Sequence, residues 1–152
     1  SAIKTMTQKV LWKDRDIIII DMPPGTGDTQ LTFVQEVKID GAIIVSTPQD
    51  LALLDVKRGI QMFEKTGVKI LGLIDNMSIF KGDDGKEYKI FGEGGVKKTA
   101  EEFNKEFLGY LPLSKDLRIS ADKGEPLTYS KSDHEISKLF ISIAEKIKQS
   151  FQ

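Results

Sequence analysis

The sequence predicts a single α/β domain with a mostly parallel sheet and helices on both faces. Three observations carry this reading. Short aliphatic runs recur at Ile17–Ile20, Gly41–Ser46 and Lys69–Asp75, and continuous apolar runs of this length suit strands buried on both faces. Between and after them lie stretches with apolar residues at helical spacing, the clearest from Asp50 to Lys65. Strands alternating with helices of this length imply right-handed crossovers onto a parallel sheet. The chain has 152 residues, which fits one domain able to bury about 68–70% of the surface of its unfolded chain.

The elements follow in order. Ile3, Met6, Val10 and Leu11 give a short leading helix over Ala2–Leu11. Ile17–Ile20 is the first strand, and the octet from Asp21 to Asp28, with two prolines and two glycines, is a loop. A helix runs from about Thr29 to Val37, and Gly41–Ser46 is the second strand, stopped by Pro48. Asp50 is a natural N-cap for the next helix, whose stripe is Leu53, Leu54, Val56, Ile60 and Phe63, with Gly67 placed to end it. Lys69–Asp75 is the third strand. Met77–Gly95, rich in glycine and charge, reads as a loop. Val96–Phe107 reads as a helix and Leu108–Leu113 as a short fourth strand. Ser132-Asp-His-Glu135 has the pattern of a capping box, opening a last helix with Ile136, Leu139, Phe140, Ile143 and Ile147 on one stripe.

Composition excludes several kinds of chemistry. With 22 basic and 23 acidic residues the net charge is −1, so no broad positive field exists to hold nucleic acid or an anionic membrane. No run approaches the roughly 20 apolar residues of a membrane helix. There is no cysteine and one histidine, His134. Disulfides, thiolate catalysis and thiolate metal sites are therefore excluded within the chain. This cysteine usage fits a reducing, cytoplasmic setting.

In parallel sheets ligands bind outside the carboxyl ends of the strands. That rule selects the Asp21–Asp28 loop, the Ser46–Asp50 loop and the Asp75–Ser78 turn. Asp21 after four isoleucines matches the layout in which a strand presents a carboxylate to Mg²⁺ beside nucleotide phosphates. The bland alternative is an aspartate capping a loop. Gly25 and Gly27 would let backbone N–H groups approach a phosphate.

The segments IIIIDMPPGTGDTQLT, GAIIVSTPQDLALLDVKRGIQMF, GLIDNMSIF, YKIFGEGG and LGYLPLSKDLRISADKGEPL together span about Ile17–Leu127. They resemble the C-terminal portion of the Mrp/ApbC family, ATP-binding iron–sulfur cluster carriers among the MinD/ParA-like P-loop NTPases. The resemblance implies an incomplete P-loop NTPase (MinD-like) fold over residues 1–152. It implies ATP and Mg²⁺ as cofactors, a homodimer, and iron–sulfur client or scaffold proteins as partners. By the same resemblance, Asp21 holds Mg²⁺ through water, and Pro24 and Gly25 sense the γ-phosphate. Asp21 and Gly25 are then the catalytic candidates. Asn76 would pair its amide with the adenine edge, a role suited to a group with both donor and acceptor, and Pro112 lies in the segment lining the adenine pocket. The residues alone allow plainer readings: a turn asparagine and a strand-ending proline.

Two departures qualify the resemblance. The family's Lys-Gly-Gly-x-Gly-Lys-Ser/Thr phosphate loop is not in the sequence, and Gly92–Thr99 lacks its Gly-Lys-Ser/Thr ending. The chain alone is thus expected to bind ATP poorly and to hydrolyse it negligibly. The family's Cys-x-x-Cys, which bridges a 4Fe–4S cluster between subunits, falls on Gly82 and Gly85. Asp83 and Asp84 between them offer hard oxygen ligands unsuited to such a cluster and read as a polar turn.

Three plainer expectations complete the reading. His134 is a surface residue, and Trp12 and the phenylalanines are core. The lysines from Lys81 to Lys98 form a solvated face. Without the phosphate-loop strand, Ile17–Ile20 becomes an aliphatic edge that either associates with another chain or is covered by Ala2–Leu11. The alternative function is a non-catalytic remnant or scaffold. A membrane-positioning ATPase is disfavoured, because the last helix balances its lysines with acids.

Overall fold

The computed structural model describes residues 5, 9–22 and 27–152. Helix α1 spans Asp28–Glu36 and buries Phe33 and Val34. Asp28 sits in its first turn, where a negative charge suits the positive end of the helix. Strand β1 is Ala42–Ser46 and helix α2 is Asp50–Thr66. The buried residues of α2 are Leu53, Val56, Ile60 and Phe63, the three-and-four spacing that puts side chains on one helix face. It ends at Gly67, whose φ of 72° is the left-handed conformation expected of a terminating glycine. The N-cap is Gln49 rather than Asp50, with no side-chain cap bond.

Strand β2 runs over Ile70–Lys81 and β3 over Glu87–Tyr88. Helix α3 is Gly95–Glu102 and β4 is Phe107–Leu113. Helices α4 (Lys115–Asp122) and α5 (Leu127–Ser130) lead to α6, Glu135–Gln149. Strand β2 is central: β1 and β4 pair with it in parallel, and β3 pairs antiparallel with its end. The sheet is therefore mixed, with its long ladders parallel.

Helices cover both faces. On one, Leu53, Val56 and Ile60 of α2 meet Leu73 of β2 and Val96 and Ala100 of α3. On the other, Ile143 of α6 packs on Ile74, Leu108 and Leu111. Leu73 and Ile74 thus serve opposite cores, as adjacent strand residues must. A third cluster joins Val34, Ala42 and Phe63, with Met22 packed against it.

Several expectations are corrected. Ile17–Ile20 forms no strand, and its side chains are 76, 49, 91 and 41% exposed. A strand needs a neighbouring backbone to pair with, and among the described residues no strand pairs with this segment. The expected loop over Met77–Gly95 instead extends β2 to Lys81 and turns back through β3, because Phe80 finds partners in Tyr88 and Leu113. Helix α3 stops at Glu102, five residues early. Asn104 adopts a φ of 52° and the Lys105 N–H returns to the Ala100 carbonyl (2.8 Å), which frees Phe107 for β4. Helices α4 and α5 were not anticipated. The Ser132–Glu135 box is replaced by His134 as N-cap of α6, its Nδ1 accepting from the Ile136 N–H at 3.2 Å. His134 is therefore half-buried, not a free surface residue. Trp12 is 45%, Phe80 37% and Phe151 57% exposed, while Phe33 and Phe63 are buried as expected. The leading helix expected over Ala2–Leu11 lies largely outside the described residues.

Candidate functional site

The parallel register decides which predicted residues meet. Ser46 pairs with Asp75 across β1–β2, and Asn76 pairs with Leu111 across β2–β4. Pro112 follows Leu111, so Asn76 and Pro112 lie on neighbouring strands at the carboxyl side of the sheet. Ser78 ties the two strands together, its Oγ donating to the Leu111 carbonyl at 3.2 Å. Asn76 and Pro112 are both half-buried, and no hydrogen bond from the Asn76 side chain occurs among the described residues. Its amide is open to a ligand that offers both a donor and an acceptor, as an adenine edge does.

The Ser46–Asp50 loop borders the same side. Ser46 Oγ donates to the Thr47 carbonyl (3.0 Å), and Thr47 Oγ1 donates to Gln49 Oε1 (3.0 Å). Gly95, at the start of α3, lies against Pro48 and Leu53, which brings the amino ends of α2 and α3 together beside the strand ends. Ser114, after β4, caps α4 through Leu117 N–H.

Asp21 is described and exposed, outside any strand. Its carboxylate is accessible to a hydrated cation. Among the described residues no group of three or more histidine or acidic side chains is placed to hold a metal ion. Any Mg²⁺ at Asp21 would complete its shell with water and phosphate oxygens, as this small, reluctantly dehydrated ion commonly does. Pro24 and Gly25 lie outside the described residues.

Asp75 was missed by the sequence reading. It is only 4% exposed, and among the described residues its Oδ1 has no hydrogen-bond partner. Burial raises its pKa from 3.8 to about 6. The signal was present as a carboxylate directly after the apolar run Ile70–Ile74 and before Asn76. As the second residue after Leu73 it shares the face covered by α2 and α3.

Two surface grooves lie elsewhere. One, of about 390 Å³, is lined by Lys69, Ile70, Lys105 and Glu106 at the amino ends of the strands. The other, of about 290 Å³, is apolar and lies among α4, α5 and α6. Neither includes Asn76, Pro112 or Asp21. No helix among the described residues is long and apolar enough to cross a membrane.

The chain is 44% identical over 147 residues to an iron–sulfur cluster carrier protein of Escherichia coli K12, covering 96% of this chain and 40% of that protein. It is 41% identical over 148 residues to the iron–sulfur cluster transfer protein NUBPL of mouse, covering 97% of this chain and 46% of the relative. The chain thus spans less than half the length of these two relatives. A nucleotide-binding protein of Archaeoglobus fulgidus, solved in complex with ADP, superposes with a TM-score of 0.73 at 38% identity, over 81% of this chain and 51% of that one. The MinD cell-division ATPase of Pyrococcus furiosus, at 22% identity and a TM-score of 0.69, shares the fold over 97% of this chain and 55% of its own. A family model described as ParA, NUBPL iron-transfer P-loop NTPase, matches residues 1–148, and the chain belongs to that family.

Proposed function

We propose that this chain forms the base-binding and metal-facing part of an ATP-dependent iron–sulfur cluster carrier acting in cluster assembly and transfer. The observation that carries the reading is the register of Asn76 with Leu111, which sets Asn76 and Pro112 on neighbouring strands at the strand ends where parallel sheets take ligands. In this reading Asn76 pairs with the adenine edge and Pro112 lines the ring. Asp21 holds Mg²⁺ through water, and Pro24 and Gly25 respond to the γ-phosphate. The lysine loop that grips the β- and γ-phosphates comes from sequence outside these 152 residues. Two copies act together, in the cytoplasm, on iron–sulfur clients or scaffolds. The cluster is cargo in this scheme, and nucleotide occupancy controls its loading and release.

Calorimetric titration with Mg-ATP tests the reading. The chain alone is expected to bind weakly. The protein completed with a Gly-Lys-Ser/Thr loop is expected to bind tightly. In that background Asn76→Ala should weaken affinity about tenfold, the loss of roughly one hydrogen-bonding group. Equal affinity for the Asn76→Ala variant would remove Asn76 from the site. Absence of any nucleotide binding in the completed protein would favour the second reading, a scaffold without catalysis, which the missing loop and cysteines support.

A further inference from the structure

The β2–β3 hairpin carries Gly82 and Gly85, the two positions that the family resemblance assigns to cluster-binding cysteines. Iron–sulfur clusters are held chiefly by thiolates, and this chain has no cysteine. The residues present do not fit the cluster.

A different structure fills the place. The Gly82 N–H donates to the Lys86 carbonyl and the Gly85 N–H to the Gly82 carbonyl, both at 2.9 Å. Asp84 Oδ1 accepts from the Lys86 N–H at 3.0 Å, and Oδ2 accepts from the Tyr88 O–H at 2.8 Å. Tyr88 is at the same time the strand partner of Phe80. The turn is thus closed by backbone bonds and by a carboxylate–phenol pair spanning it. The Lys86 N–H and then the Tyr88 O–H hold the Asp84 carboxyl below the usual range, and the Asp84 carboxylate pushes the Tyr88 phenol up.

The pair requires glycine at 82. A first side-chain carbon there would lie 2.7 Å from Asp84 Oδ1 and 2.9 Å from the Tyr88 ring. Both neighbours are side-chain ends and would be pushed aside, breaking the pair rather than the fold. Gly85 has a φ of 76°, which a cysteine would adopt only under strain.

We propose that Gly82 does more than lack a ligand: it lets Asp84 and Tyr88 close the hairpin as a metal-free lock. A side chain at 82 and the lock exclude one another. Any thiolate-held cluster that the protein handles is then gripped by cysteines outside these residues, on a client, a scaffold or a further segment. This last step rests on the iron–sulfur reading above; the lock itself does not.

Ultraviolet titration of tyrosinate tests the lock. The three tyrosines are separated by comparison with Tyr88→Phe. Tyr88 should ionise above the ordinary tyrosine value of about 10, and both Asp84→Asn and Gly82→Ala should return it towards that value. An unchanged Tyr88 in both variants would overturn the lock. Anaerobic incubation with ferrous iron and sulfide, followed by desalting and iron and sulfide assay, tests the second step. No retention by wild type or by an Asp83→Asn/Asp84→Asn variant supports it, and equal retention by both would place the iron and sulfide on other residues of this chain and refute it. Iron and sulfide held by wild type and lost in that variant would make the carboxylates ligands and refute it. Neither result alters the ATP titration, so failure here is distinct from failure of the nucleotide reading.

Discussion

Ser46 and Asp75 are register partners across the parallel β1–β2 pair, and the Asp75 side of that pair is closed to solvent. Among the described residues the Asp75 Oδ1 has no hydrogen-bond partner. Burial without a compensating hydrogen bond penalises the charged form. The folded protein therefore holds this proton to about pH 6, against 3.8 for the free side chain.

The sign of the resulting pH dependence is fixed. Below 3.8 both folded and unfolded chains hold the proton. Between 3.8 and about 6 the unfolded chain has released it and the folded chain has not, so stability falls as pH rises. Above about 6 the loss is complete, at about 3 kcal/mol for a gap of about 2 pH units. Asp75→Asn removes this dependence. Urea unfolding across the range should show the variant gaining on the wild type by about that amount between the two limits. Parallel pH curves for the two proteins would refute the assignment.

Much of this arrangement was legible in the sequence. Leu53, Val56, Ile60 and Phe63 announced one face of α2, and Ile136, Phe140 and Ile143 one face of α6, because helical spacing is a local property. Asn76 and Pro112 could be named as candidates. Their adjacency could not, since it depends on the register of β2 with β4, a pairing across 35 positions of sequence (Asn76 with Leu111). The β2–β3 hairpin was hidden for the same reason. Its glycines and charges read as a loop, and only the pairing of Phe80 with Tyr88 makes it a ladder. Ile17–Ile20 erred in the opposite direction: strong strand propensity forms no strand without a neighbouring backbone.

Leu73 is fully buried between α2 and α3, where it joins the two helices to β2. Leu73→Ala removes that apolar contact and leaves a cavity that two helices and a sheet cannot collapse into. The expected cost is about 2–5 kcal/mol in chemical unfolding. Tyr129→Ala, at a side chain 90% exposed, provides the contrast and should stay within about 0.5 kcal/mol. A similar effect for both would mean that the Leu73 cluster is not the core.

His134 closes the amino end of α6 through Nδ1, and its Nε2 lies 3.5 Å from Asp116 of α4. One side chain thus satisfies a helix N–H and approaches a second helix. His134→Ala should cost about 1 kcal/mol, the usual value of an N-cap. His134→Asn restores a capping oxygen and should recover most of it. If both variants unfold at the wild-type midpoint, the cap contributes nothing, and α6 is held by its apolar stripe alone.

Ile17 and Ile19 are the most exposed members of an aliphatic segment that forms no strand. Exposed residues of this type template pairing with another chain, so the segment should drive self-association. Because their side chains are 76 and 91% exposed, replacing both with lysine removes few intramolecular contacts. Ile17→Lys/Ile19→Lys should therefore change folding stability by no more than about 0.5 kcal/mol. The same variant should shift size-exclusion profiles with light scattering towards monomer. A loss of several kcal/mol would show instead that the segment is packed into the fold of its own chain. The same substitution thus separates an exposed segment from one already covered, by the size of its effect on unfolding rather than by association alone.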